Sequence, residues 1–332
     1  MKIVYIFDGY VDNALEGNGG SDVLFQQAED LAARGHDVTV YHNCYVTCRR
    51  TFKGVSQKYC SNKIDFVLAL SKLDPCIKIA TNYGSAHILN EAYNLEDSCF
   101  YFVLDLNDMF HGPTTTEECE QSYTYNFHKY CFFKQVHDVM INRYNVKCEY
   151  IPYGIRKPFY RNDIKKENII LHRVNKNWHL FDEVARRVND KLDRDFEFWT
   201  YDYKQHHSTY GIKHRHFTNV SHDELLDIYN RSLVYLCTSD VEGFGLPPLE
   251  AMACGAAVVT TINHGVQEFA IDGYNCLTSN SILDYTDKCL QLINNENLRN
   301  KLVEAGYKTA SKYKDRKRMI DKLETFLTQR LR

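Results

Sequence analysis

Short apolar runs alternate with stretches of helical periodicity along the chain. Continuous runs such as KIVYIF at 2–7 are typical of strands that are buried on both faces. In the first half, this pattern predicts strands at 2–7, 37–42, 76–80, 99–104 and 137–141. Helical periodicity is found near 21–34, 85–95 and 117–132. Such alternation predicts βαβ units and a parallel sheet covered by helices.

The same rhythm restarts after residues 151–168, whose prolines, glycine and charges are typical of a linker. Strands are predicted beyond it at 168–172, 195–201, 232–238 and 256–260. Helices are predicted at 178–192, 221–230, 248–254, 280–294, 296–312 and 314–331. The second half is therefore expected to repeat the parallel α/β architecture of the first.

The expected fold class is α/β, with two doubly wound Rossmann-like domains that face a cleft. The first domain is predicted at 1–155 and the second at 156–313. For the C-terminal helix at 314–332, crossing back to the first domain is one option.

Composition narrows the possible functions. A net charge of −3 over 332 residues gives no overall field that attracts nucleic acid or an anionic membrane. The basic runs at 213–216 and 314–318 are expected to be solvated surface. No stretch reaches the ~20 apolar residues of a membrane span. The 12 cysteines include no CxxC pair and the chain starts on a strand-like run, so a cytoplasmic location is expected, with peripheral membrane attachment left open.

The stretch SDVEGFGLPPLEAMACG at 239–255 carries the candidate chemistry. It follows a buried strand, and its proline pair suits the first turn of a helix. Ligands of open α/β sheets bind at such carboxyl ends of strands. Gly243 and Gly245 permit a ligand to approach the backbone, and amides at a helix start favour negative charge. The loop is therefore suited to an anionic or polar ligand.

Two carboxylates flank this loop. Glu250 is expected in the first turn of the helix, where the helix dipole favours its ionised form, and it can accept two hydroxyls of a ribose. Glu242 is expected at the strand end, facing the ligand. Amides for phosphate or sugar oxygens and carboxylates for hydroxyls describe a pocket for a sugar nucleotide. An ordinary strand-to-helix turn is the alternative, but it does not account for the whole pattern.

EGFGLPPLEAMACG resembles the signature of retaining glycosyltransferases of family 4, which have the GT-B fold. Their two glutamates, separated by seven residues, are matched by Glu242 and Glu250. TINHGVQEFAIDGYNCL at 261–277 is similar to the family's continuation, with Cys276 where glycine is usual. The resemblance implies that Glu242 acts on the sugar at the catalytic centre. It also implies donor contacts by Glu250 and by the loop made of Gly243, Phe244, Gly245 and Leu246.

The resemblance extends to a basic pair. Arg173 and Lys176 follow the strand NIILH, where the family holds the donor diphosphate with two cations. The pair is three positions apart, closer than is usual in the family, and His172 replaces the usual glycine.

Two stretches of the first half also resemble the family. Gly19 and Gly20 lie in a glycine-rich segment before a helix, as in the family's first loop, which approaches phosphate or acceptor. CFYFVLDLNDMFHGP at 99–113 resembles the strand end of rhamnosyltransferase-like members. Asp105 and His111 would then face the sugar or the acceptor as catalytic residues.

The resemblance implies a retaining hexosyl- or pentosyltransferase that needs no cofactor and no metal. Its co-substrate would be a nucleotide-diphosphate sugar, bound by the predicted domain at 156–313 as the donor domain. Its acceptor would be a hydroxyl of a glycan, a lipid-linked molecule or a polymer, on the side of the domain at 1–155. Transfer to a nucleic-acid base, as in phage-type enzymes, is an alternative; so are a nucleotide-sugar epimerase and a non-catalytic binder. The DxD sequence at 193–195 is interpreted as accidental. Residues 17–22 fail GxGxxG, which argues against NAD.

Overall fold

The computed structural model describes residues 1–8, 19–43, 52–93, 98–104, 106, 116–155, 159–174, 177–193, 195–202, 212 and 214–331. It divides into two compact units. The first comprises Met1–Gly154 and Asp315–Arg332, and the second comprises Ile155–Lys314.

The first unit is built on a seven-stranded parallel sheet. Its strands are β1 (Lys2–Phe7), β2 (Asp37–Asn43), β3 (Val55–Cys60), β4 (Ile77–Ala80), β5 (Ser98–Phe102), β6 (His128–Cys131) and β7 (Cys148–Tyr150). Its helices are α1 (Gly19–Ala33), α2 (Lys63–Ser71), α3 (Tyr83–Glu91), α4 (Thr116–Thr124), α5 (Lys134–Asn142) and the C-terminal α11 (Arg316–Thr328). The strand order is β3-β2-β1-β4-β5-β6-β7.

The second unit is built on a six-stranded parallel sheet. Its strands are β8 (Glu167–Arg173), β9 (Glu197–Asp202), β10 (His214–Thr218), β11 (Ser232–Cys237), β12 (Ala257–Thr260) and β13 (Leu277–Thr278). Its helices are α6 (Trp178–Asn189), α7 (His222–Arg231), α8 (Leu246–Ala253), α9 (Ile282–Asn294) and α10 (Glu296–Ser311). The strand order is β10-β9-β8-β11-β12-β13, so both units are doubly wound and the prediction of two such sheets is confirmed.

Each sheet has a switch point at which the chain direction across the sheet reverses. It lies between β1 and β4 in the first unit and between β8 and β11 in the second. In open α/β sheets, ligands bind beyond the carboxyl ends of the strands at such a point. The fold therefore offers one candidate position for a ligand in each unit.

Alternation along the strands decides which residues form the core of the second unit. Ile170 of β8 and Val234 and Leu236 of β11 lie on one face of the sheet and pack against Phe181 and Val184 of α6. Full burial of such side chains stabilises the fold by roughly 1.5–3 kcal/mol each. Residues at the alternate strand positions project to the opposite face, which α7 and α8 cover.

Two predicted elements of the first unit are wrong. The apolar run at 137–141 is not a strand but part of α5, in which Val136 and Met140, one helical turn apart, are the buried residues. The helix predicted at 117–132 ends at Thr124, and β6 occupies its second half. Edge strand β3 was not predicted, because its sequence VSQKYC is largely polar and half exposed.

The C-terminal helix α11 packs within the first unit, where Leu323, Phe326 and Leu327 are buried. Arg34 pairs with Glu324 at 2.7 Å, and Arg316 pairs with Asp30 at 2.7 Å.

Arg316 corrects the expectation that the basic run at 314–318 is solvated surface. Its side chain is 11% exposed, since it reaches back to Asp30 and to the carbonyl oxygen of Gly154. Within the described part of the chain, no helix combines the length and the apolar character needed to cross a bilayer.

Candidate active site

Arg173 and the glycine-rich loop meet at the switch point of the second sheet. Arg173 is the last residue of β8, and the loop at 238–245 follows β11. The two strands are parallel neighbours, with His172 beside Leu236. Their carboxyl ends therefore lie at the same edge of the sheet, and the predicted cation and the predicted loop come together there.

Hydrogen bonds fasten the two strand ends to each other. Asn177, at the N-terminus of α6, donates from Nδ2 to both carboxylate oxygens of Asp240 at 2.9 Å. The hydroxyl of Thr238 donates to the carbonyl oxygen of Asn177 at 3.1 Å. The start of α6 and the start of the glycine-rich loop are therefore held in a fixed relation.

The turn after β12 supports the loop from the other side. Thr261 Oγ1 and Asn263 Nδ2 both donate to the carbonyl oxygen of Ser239, the latter at 2.9 Å. Gly265 follows, and a Cβ at that position would lie 2.5 Å from the carbonyl oxygen of Glu242 and 2.7 Å from the nitrogen of Phe244. Only glycine leaves room for so close an approach of the two backbones.

The loop itself is fixed by a left-handed residue and a buried ring. Gly245 has a φ of 90° and precedes the first residue of α8. That backbone conformation favours glycine, which has no Cβ to clash. Phe244 is 3% exposed, and its ring packs against Phe269 and Tyr313 at centroid distances of 5.3 and 5.4 Å. The ring of Phe244 is thus an anchor, and its backbone is the part suited to a ligand.

The position of Glu250 differs from the prediction. Helix α8 begins at Leu246, with Pro247 and Pro248 in its first turn, so Glu250 is its fifth residue and no acidic residue lies in the first turn. The N–H groups of a first helical turn have no partner inside the helix, so prolines, which lack an N–H, are tolerated there. The helix therefore begins at Leu246, two residues earlier than predicted. The helix dipole therefore has little effect on Glu250, because its influence falls off within the first turn.

Tyrosine hydroxyls hold Glu250 instead. Tyr229 of α7 donates to Glu250 Oε2 at 3.1 Å, and the hydroxyl oxygens of Tyr229 and Tyr201 are 2.5 Å apart. The ring of Tyr235 packs on that of Tyr229, with centroids 5.7 Å apart. Burial raises the pKa of all three tyrosines above the ordinary value, so their hydroxyls stay protonated and able to donate.

We call Tyr201, Tyr229 and Tyr235 the tyrosine cluster. Sequence reasoning missed it, because its members come from three separate elements. The signal available was weak: Tyr201 and Tyr235 stand inside largely buried strands.

The structure describes only some of the remaining predicted site residues. Gly19 and Gly20 form the first residues of α1 rather than a loop before it. Asp105, His111 and Lys176 lie outside the described residues. Among the residues that the structure describes, no three His, Cys, Asp or Glu side chains gather into a group that could hold a metal ion.

The switch point of the first unit has a different chemistry. Asp8 follows β1, and Asn82 follows β4 and donates from Nδ2 to the carbonyl oxygen of Asp8. The Asp8 carboxylate lies against Gly84 in the first turn of α3, so close that a Cβ there would be 2.1 Å from Oδ2. A carboxylate of the chain thus occupies the helix start, a position that otherwise attracts an anion.

Residues 172–309 match the family model of the Glycosyl transferases group 1. A segment of 95 residues is 39% identical to the uncharacterized glycosyltransferase MJ1178 of Methanocaldococcus jannaschii. It covers 28% of this chain and 27% of that protein. The matched segment thus spans about a quarter of this curated relative.

Solved structures resemble the chain over almost its whole length. Sucrose-phosphate synthase from Thermosynechococcus elongatus has a TM-score of 0.78 at 13% identity, covering 99% of both chains. Anabaena Alr3699/HepE, solved in complex with UDP and glucose, has a TM-score of 0.77 at 13% identity, covering 99% of this chain and 100% of the other. The protein therefore has the GT-B fold, and its residues 172–309 match the glycosyltransferase group 1 family.

Proposed function

We propose that the protein transfers a sugar from a nucleotide-diphosphate sugar to an acceptor hydroxyl, with retention of the anomeric configuration. One observation carries the proposal: Arg173 and the glycine-rich loop, which leads into the helix of Glu250, lie at the switch point of the sheet, inside the segment that matches the family. A cation, a loop with ligand-accessible backbone and a carboxylate are the groups that a diphosphate and a ribose require.

Each group has a role that follows from its charge. Arg173 would neutralise the diphosphate, on which negative charge grows as the bond to the sugar breaks. The amides of the loop at 243–246 would bind phosphate and sugar oxygens. Glu250 would accept the ribose hydroxyls, and Glu242, next to the turn held by Gly265, would bind the sugar. Lys176 is proposed as the second cation of the diphosphate site.

Retention is proposed from the resemblance to family 4. The bond between the anomeric carbon and the diphosphate oxygen would break through an oxocarbenium-like state. The acceptor oxygen would bond to the same face of that carbon, and its proton would pass to the departing phosphate oxygen. Atoms and charge then balance without a covalent intermediate on the enzyme.

The proposal also covers where the acceptor binds and which sugar is transferred. We assign acceptor binding to the first unit, with Asp105 and His111 as its catalytic candidates and Gly19 and Gly20 at its first helix. A rhamnosyl donor is proposed because 99–113 resembles rhamnosyltransferase-like enzymes. UDP-glucose is the other donor to examine, since Anabaena Alr3699/HepE was also solved in complex with it.

A thermal-shift panel of nucleotide sugars tests the proposal. The panel would contain uridine, guanosine and adenosine diphosphate sugars, with the nucleosides alone as controls. A true donor at 100 times its Kd should stabilise the fold by about 2.7 kcal/mol by mass action. The matching nucleoside, which lacks the diphosphate, should stabilise it far less.

The donor found in this way should then be incubated with glycan and lipid-linked acceptors. NMR of the product determines the anomeric configuration. Absence of stabilisation by every nucleotide sugar would contradict the function, whereas an inverted product would contradict retention alone.

A further inference from the structure

The tyrosine cluster lies on the face of the second sheet opposite its main core. Val234 and Leu236 belong to the core on one side, so Tyr235 between them projects to the other side. Tyr201 stands beside Arg173 on neighbouring strands, in register. Tyr229 is supplied by α7. The cluster is fully buried, and its polar atoms therefore need partners within the protein.

The hydrogen bonds of the cluster have a direction. A tyrosine hydroxyl has one proton, and Tyr229 gives that proton to Glu250 Oε2. The hydroxyl of Tyr201, 2.5 Å away, must then donate to Tyr229. The chain of donors thus ends on the carboxylate of Glu250, which accepts the last hydrogen bond.

A second contact fixes the helices that carry this chain. The ammonium group of Lys166 donates to the carbonyl oxygen of Tyr229 at 3.0 Å and to that of Cys254 at 2.8 Å. These carbonyls lie at the C-terminal ends of α7 and α8, where a cation is favourable. Lys166 thereby joins the helix of Tyr229 to the helix of Glu250.

We propose that the tyrosine cluster, through the Tyr229 hydroxyl, positions the Glu250 carboxylate for recognition of the donor ribose. The proposal rests on the proposed function, since it assigns Glu250 to the ribose. Tyr229 is a positioning residue, because it acts on the ligand through Glu250. Removing its hydroxyl should take this donor away from the Glu250 carboxylate and weaken the orientation of that carboxylate toward the ribose.

A double-mutant cycle without ligand tests the contact. The variants are Tyr229→Phe, Glu250→Ala and the double variant, unfolded in urea and followed by tryptophan fluorescence. Both tryptophans, Trp178 and Trp199, belong to the second unit and so report its unfolding. The effect of the double variant on the unfolding equilibrium constant should differ by about tenfold from the combined effects of the two single variants. A difference of this size is expected for a hydrogen bond to a charged group.

Tyr285→Phe is the matched control. This tyrosine is equally buried, but it donates to the carbonyl oxygens of Cys237 and Val259 and belongs to the core on the opposite face. Its effect should add to that of Glu250→Ala. Additivity of Tyr229→Phe with Glu250→Ala would overturn the contact on which the proposal stands.

Ribose selectivity tests the consequence. Calorimetry would compare a ribonucleoside diphosphate with its 2′-deoxy form, both of the base identified in the donor panel. The native protein should prefer the ribose form. Tyr229→Phe should bind the ribose form about tenfold more weakly than the native protein does, whereas its affinity for the deoxy form should change much less. Tyr285→Phe should keep the native preference.

The outcomes separate the two levels of the proposal. If the native protein binds no nucleoside diphosphate, the proposed function fails. If it binds with a ribose preference that Tyr229→Phe leaves intact, the positioning role alone is overturned. Equal losses in Tyr229→Phe and Tyr285→Phe would also overturn it, since they would indicate a general effect of removing a buried hydroxyl.

Discussion

The two units share a strand order but differ in charge at the same place. At the switch point of the second unit, β8 ends in Arg173, beside the loop that leads to Glu242. At the switch point of the first unit, Asp8 follows β1 and lies against the start of α3. An anion approaching the first position meets a carboxylate, and one approaching the second meets a guanidinium.

The difference shows that the fold supplies a position and the side chains decide the ligand. The strand order alone would permit a diphosphate at either switch point. On this charge difference we propose that the diphosphate binds in the second unit and that the first unit binds a neutral partner, such as an acceptor hydroxyl. The predictions below test this assignment.

Replacing Arg173 should have the largest effect. Arg173→Ala is expected to lower kcat/KM by about 10²–10³, the usual loss when a group that stabilises developing charge is removed. Steady-state kinetics with the identified donor measures it. Arg187→Ala is the matched control, because Arg187 pairs with Glu183 on α6. Near-native activity of Arg173→Ala would break the assignment of the diphosphate.

Acid should affect the first unit through His42. This side chain at the end of β2 is fully buried, and burial lowers its pKa from 6.5 to about 4. Between about pH 4 and pH 6.5, the unfolded chain therefore binds a proton at His42 that the folded unit does not bind. Stability is full above about pH 6.5 and should fall by about 3 kcal/mol as the pH drops to 4.

His42→Phe removes this titration and preserves the ring contacts with Phe7 and Tyr59. Urea unfolding at pH 7 and pH 4.5, followed by circular dichroism, should show a smaller acid loss in the variant than in the native protein. An identical acid loss in both would rule out His42 as the cause.

Two glycines permit a sharper comparison of the units. A Cβ on Gly265 would meet the backbone of Glu242 at 2.5 Å, and one on Gly154 would meet the backbone of Arg316 at 2.6 Å. Each substitution to alanine should destabilise its unit by about 1–3 kcal/mol, as overpacking does.

Calorimetry with the donor nucleotide distinguishes the two variants. Gly265→Ala should also weaken nucleotide binding, because it displaces the loop at 242–244, whereas Gly154→Ala should bind as the native protein does. Comparable weakening in both variants would contradict a site confined to the second unit.

Asp8→Asn should have the smallest effect. Loss of the carboxylate at the start of α3 is expected to cost under about 1 kcal/mol of stability. Nucleotide affinity should change by less than about twofold, within the usual spread for a surface substitution that removes no contact of the proposed site. A large loss of nucleotide affinity would move the diphosphate to the first unit.

The second unit was more predictable from sequence than the first, for physical reasons. Strands such as SLVYLCT are buried on both faces, so they appear as continuous apolar runs with clear ends. In the first unit, the run at 137–141 belongs to a helix, and five residues are too few to distinguish a helical period from a strand. Edge strand β3 has mixed polarity, and tertiary pairing rather than local sequence makes it a strand.

The candidate site was predictable in its motif but not in its support. The spacing of Glu242 and Glu250 is visible in sequence, and so is the glycine-rich loop. The contact between Tyr229 and Glu250 joins two residues 21 positions apart and depends on how the helices α7 and α8 pack against each other. The same is true of Gly265, whose need for a bare backbone appears only once two loops are placed together.

A crystal structure with a nucleoside diphosphate bound tests the central claim most directly. The diphosphate is predicted within about 3 Å of the Arg173 guanidinium and of the amides at 243–246, with the ribose hydroxyls on Glu250. A nucleotide bound beside Asp8 in the first unit, or one that contacts neither Arg173 nor Glu250, would contradict it.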